Sequence, residues 1–144
     1  MRTNVTFHHP AEFVAVSDED GILSVAGAQW FVALLRRVPA LEIDEQLCQE
    51  DWGVVISARR AQKKFWIGFS MWPEGEHAWL AHFHHGSFAW LQRFTSSGQS
   101  GLGHLVSEVH RVLTHEPMVS GVLWYDESQM RKAEPDGFAT PVES

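Results

Sequence analysis

A chain of 144 residues with 44% hydrophobic and 20% charged side chains has the make-up of one folded domain, long enough to bury about 68–70% of the surface its unfolded form exposes. The formal net charge of −7 argues against a nucleic-acid surface, because the basic residues concentrate only at Arg59, Arg60, Lys63 and Lys64. One cysteine, Cys48, excludes an intrachain disulfide, and no apolar run approaches the ~18 residues that a membrane helix needs. The first residues, Met1 to Pro10, lack the continuous apolar stretch of a secretion signal, so a cytoplasmic location is expected.

In chain order, Val5–Phe7 and Phe13–Val16 are two short apolar pieces separated by His8, His9 and Pro10, and are read as short strands or edge segments. Asp18–Gly21 is a turn. A first helix is predicted over about 24–37, with Ser24 as its cap and Ala28, Phe31, Leu35 and Val38 along one face; Pro39 ends it. Glu42, Asp44, Glu45, Glu50 and Asp51 follow in a stretch without Lys or Arg. Such a run solvates a loop or an edge strand, or it attracts a basic partner.

The region from Asp51 to Phe94 holds five of the seven tryptophans and most of it alternates in character. Val54–Ala58 is a β-branched segment. Phe65, Ile67, Phe69 and Met71 alternate with Trp66, Gly68, Ser70 and Trp72, which assigns them to opposite faces of one strand. Pro73–Glu76 has the composition of a turn. Between His77 and His85, Trp79, Ala81 and Phe83 oppose Leu80, His82 and His84. Phe88–Phe94 is taken as a further strand in preference to a short helix. A loop of small polar residues, Thr95–Gly101, precedes a second helix over 102–115. Its Leu102, Leu105, Val106, Val109, Val112 and Leu113 form one apolar stripe, opposite His104, Glu108, Arg111 and His115. Pro117 stops it, 119–125 is a last strand, and the polar remainder reads as a flexible tail.

Strands that do not alternate strictly with helices predict an α+β domain over 1–126 with a tail at 127–144. The sheet is an antiparallel meander of roughly 52–94 plus the strand 119–125, with both helices on one face. The opposite face then carries Trp66 and Trp72, side chains suited to anchoring a partner. His82 and His84 lie at i and i+2 of a strand and point the same way, a spacing at which two imidazoles can share a metal ion if a further ligand joins them. His8, His9, His110 and Glu76 are candidates for that role. Cys48 lies among acidic residues, which disfavour a thiolate, and no serine occupies a Gly-x-Ser-x-Gly elbow. Gly101-Leu-Gly103 falls short of a phosphate-binding pattern, and no cofactor is implied.

Together these features lead to the expectation of a small acidic cytoplasmic protein-binding domain without catalytic activity. It would mask or neutralise a basic partner protein in the manner of an immunity protein or antitoxin, through Trp66, Trp72, Glu42, Asp44, Glu45, Glu50 and Asp51. A metal-dependent enzyme using His82 and His84 is the alternative. A third reading packs the same tryptophans against a second copy of the chain.

Overall fold

The strict alternation at 65–71 sets the architecture. In the computed structural model, which describes residues 1–10, 25–71, 78–86, 96–132 and 137–141, Phe65, Ile67 and Phe69 are almost wholly buried while Trp66 and Ser70 are half-buried on the other side. The strand that carries them, β5 (Lys63–Met71), lies between β4 (Gly53–Arg60) and β6 (Ala78–His85) in an antiparallel meander. β1 (Asn4–His8) pairs with β6 and with β7 (Ser120–Tyr125). Two short pieces, β2 (Glu42–Ile43) and β3 (Cys48–Glu50), share the outer edge of β4. The result is an open seven-stranded sheet in the order β2-β4-β5-β6-β1-β7, with β3 beside β4 and every pairing antiparallel.

Two amphipathic helices cover the Phe65/Ile67/Phe69 face, as the sequence predicts. α1 (Val25–Leu35) inserts Ala28, Phe31 and Leu35, each with no exposed surface. Phe31 stacks on Phe69 at 4.8 Å between ring centroids, and Phe69 stacks in turn on Trp79 at 5.0 Å. Offset aromatic contacts of this kind add about 0.5–1.5 kcal/mol each to the burial of the rings. α2 (Ser96–His115) lays down Leu105, Val106, Val109 and Leu113 with zero exposure, while His104, Arg111 and His115 stay in water. Arg37 and Glu116 form an ion pair at 2.9 Å, joining the chain just after α1 to the chain just after α2.

The structure refines or corrects several local expectations. Of the two readings at 5–7, short strand or edge segment, the strand is the one that forms, in the sheet interior: Val5 and Phe7 are completely buried, and Pro10 lies beyond the last ladder pair, where its missing N–H costs nothing. The predicted loop 95–101 is helical from Ser96 onward. A helix nucleated by the apolar stripe extends backward cheaply, because each added residue gains a backbone bond without a new nucleation cost. After residue 126 the described residues carry further hydrogen-bonded structure. Asp126 accepts a hydrogen bond from the Gln129 backbone N–H at 2.8 Å, and the Gln129 side chain accepts one from the Asp126 N–H at 2.9 Å, a reciprocal cap for the short helix α3 (Glu127–Lys132). Further on, Phe138 exchanges two backbone hydrogen bonds with Trp124 at 2.7 and 2.8 Å, occupying the free edge of β7. Arg2 holds that segment through Pro141 and Thr140, and its guanidinium sits 3.6 Å over the Phe138 ring. The segments predicted at 13–16 and 88–94 lie outside the described residues.

The β4–β5 hairpin closes on Ala61 and Gln62, which both have positive φ, 50° and 65°. A two-residue turn with that geometry matches the right-handed twist of its strands, but it favours Asn and Gly over these residues. Around it the cross-strand pairs Arg59–Lys64 and Arg60–Lys63 place like charges opposite one another.

Candidate binding face

On the face without α1 and α2, the register of the meander decides which side chains meet. Val55, Gly68 and His82 are aligned across β4, β5 and β6, and Ser57, Trp66 and His84 form the neighbouring row. Gly68 has no side chain, so the His82 imidazole lies down over it; a methyl group at Gly68 would overlap that ring. A glycine inside a strand often marks such a close approach. Trp52, in the turn between β3 and β4, lies over the same space, with its ring 5.3 Å from that of His82. Trp66 stacks on His84 at 4.0 Å with only 14° between the planes, and it meets His82 edge-on at 5.8 Å.

The two histidines touch directly: His82 Nδ1 lies 2.8 Å from His84 Nε2, a hydrogen bond in which one nitrogen carries the proton. Burial, followed by the neighbouring His84, pushes the His82 pKa down to about 4. Burial also lowers that of His84, and the carboxylate of Glu127 on α3 partly offsets the effect. Both shifts favour the neutral imidazole.

A cleft of about 520 Å³ opens beside Trp66, lined by Glu42 and Asp44 from the outer edge and by Ser57, Arg59 and Lys64 from the hairpin. The structure thus brings two of the predicted acidic residues next to a predicted tryptophan. It does not gather the rest of the acidic run. Glu45 faces a second cleft of about 480 Å³ against α1, with Gln29, Val32 and Arg36, while Glu50 and Asp51 are exposed at the β3–β4 turn. Cys48 is exposed and its thiol pKa is raised, chiefly by its hydrogen bond to Glu50 at 3.5 Å. Trp72 and Glu76 lie outside the described residues.

The sequence leaves Trp66 open on this face, whereas the fold half-covers it with His84. The more exposed ring is Trp52, at 41%. Sequence patterning misses Trp52 because a turn residue has no periodicity, although Gly68 in mid-strand is a legible sign of close packing. Other histidines considered as further metal ligands are elsewhere. His9 packs edge-on against Trp30 of α1 at 4.4 Å, and His110 of α2 accepts a hydrogen bond from the Trp124 indole at 3.1 Å on the helix-covered side. Among the described residues no group of three or more His, Cys, Asp or Glu is placed to hold one metal ion. No described helix is long and apolar enough to cross a membrane. No protein family matches the chain, and no curated protein or solved structure is found that matches it.

Proposed function

We propose that the chain is a protein-binding domain that docks a partner through the β4–β6 part of the face opposite α1 and α2. The observation that carries this reading is the ring cluster of Trp52, Trp66, His82 and His84, in which Trp52 remains 41% exposed. Tryptophan is among the residues most enriched at binding hot spots, where surrounding contacts keep water from it. Glu42 and Asp44 share the cleft with Arg59 and Lys64, so the preference for a basic partner rests on those two carboxylates together with the net charge of −7, which would speed encounter. Masking of a basic protein, and not turnover of a small molecule, is the activity this arrangement fits.

Site-specific photocrosslinking tests the reading. With benzoylphenylalanine in place of Trp52, cells of the native host should give one discrete protein adduct. The same probe in place of His104, exposed on α2, should not. Charge reversal at Glu42 and Asp44 should diminish the Trp52 adduct. Equal labelling from both positions, or none from position 52, overturns the proposal.

A further inference from the structure

We propose that His82 and His84 form a two-imidazole chelate for a divalent transition ion such as Zn2+, Ni2+ or Cu2+, with its remaining coordination positions open to solvent. Partner docking is not required, because the ion would bind the isolated chain.

The geometry is close to what an ion needs. His82 Nδ1 and His84 Nε2 converge from one strand face to 2.8 Å. Two metal–nitrogen bonds of ~2.0–2.1 Å at a tetrahedral angle place the nitrogens ~3.3 Å apart, so the rings must separate by about half an ångström and turn their lone pairs from each other toward one common point. The proton shared between the two facing nitrogens moves to the other nitrogen of its own ring, and the ion takes its place. No net charge is removed from the protein by that tautomer change.

The rings are also held ready. Gly68 provides the floor on which the His82 ring lies, Trp66 stacks on His84, and Trp52 packs against His82. Each contact limits rotamer freedom before binding, which lowers the entropic cost of chelation. The Glu127 carboxylate acts on His84 with the sign that favours a cation. Imidazole pairs suit borderline ions, with Cu2+ bound more tightly than Ni2+ or Zn2+.

Ni2+ titrated into chain freed of any affinity tag, followed by calorimetry and by tryptophan fluorescence, gives the test. Saturable binding of one ion per chain is expected, with quenching that Zn2+ reverses by competition. His84→Gln should abolish that binding at a temperature where circular dichroism shows the variant folded, its melt lowered by loss of the stack on Trp66. Trp66→Phe should keep the calorimetric binding and lose much of the quenching, which locates the ion beside that ring. Binding to His84→Gln and to His82→Ala that equals the parent chain overturns the proposal, as does a parent chain that binds no better than these variants.

Discussion

Trp66 and His84 lie face to face, 4.0 Å between ring centroids, on adjacent antiparallel strands where their backbones are direct partners. This stack makes the face opposite α1 and α2 a partly dry surface and not a row of solvated side chains. Removing one ring should therefore be felt in stability as well as in binding. Trp66→Ala is expected to destabilise the fold by about 1–3 kcal/mol, from the lost aromatic pair and lost burial. Trp52→Ala, at an exposed turn, should cost less than about 1 kcal/mol and yet remove more partner affinity. Urea melts combined with crosslinking yields would separate the two effects.

Acid should weaken the fold in a window set by His82. Its pKa falls from 6.5 in the free side chain to about 4 in the folded protein. Above pH 6.5 the ring is neutral in both states and nothing is lost. Between 6.5 and about 4 the unfolded chain binds a proton that the folded chain refuses, so stability falls as pH drops. One such proton contributes at most about 1.4 kcal/mol per pH unit, and less here because the ring is partly wet. His84 and His110, both lowered by burial, act in the same direction. Urea melts from about pH 7.5 to about 4 should show the decline, and His82→Gln should flatten part of it. An unchanged slope in that variant would assign the effect to other groups.

Gly68→Ala should displace the His82 ring, since the added methyl group overlaps it. The expected cost is about 1–3 kcal/mol, typical of overpacking. The diagnostic signature is a change in tryptophan emission together with loss of the His82–His84 hydrogen bond, visible in imidazole nitrogen NMR.

The hairpin at Ala61 and Gln62 invites stabilisation. Both residues hold positive φ without the side chains that tolerate it, at about 1–2 kcal/mol of strain each. The double substitution Ala61→Asn with Gln62→Gly is expected to raise the unfolding free energy by about 1–2 kcal/mol, seen as a higher urea midpoint at unchanged slope.

On α2, Val109 has no exposed surface, whereas Glu108 is partly exposed and pairs with Arg111 of its own helix, at 2.9 Å. Val109→Asp should cost on the order of 4 kcal/mol or more, through an unpaired charge in the core. Glu108→Ala should change stability by less than ~0.5 kcal/mol. Chemical denaturation of both variants would check the helix register.

Local periodicity is enough to read β5, β6 and α2, because residues such as Phe65, Ile67 and Phe69, or Leu105, Val109 and Leu113, are sorted between core and water by backbone geometry alone. It also places both helices on one face, since a half-apolar sheet has only one side to cover. Other features depend on partners far away in sequence. The meeting of Trp52 with His82 is set by the β4–β5–β6 register and by the gap at Gly68, and no local pattern reports it. Order after residue 126 is of the same kind: a polar segment has little preference of its own, and it takes its shape from the open edge of Trp124 and from Arg2 at the other end of the chain. Side-chain alternation is a property of each strand by itself, whereas a site is a property of the register between strands, which only the folded sheet decides.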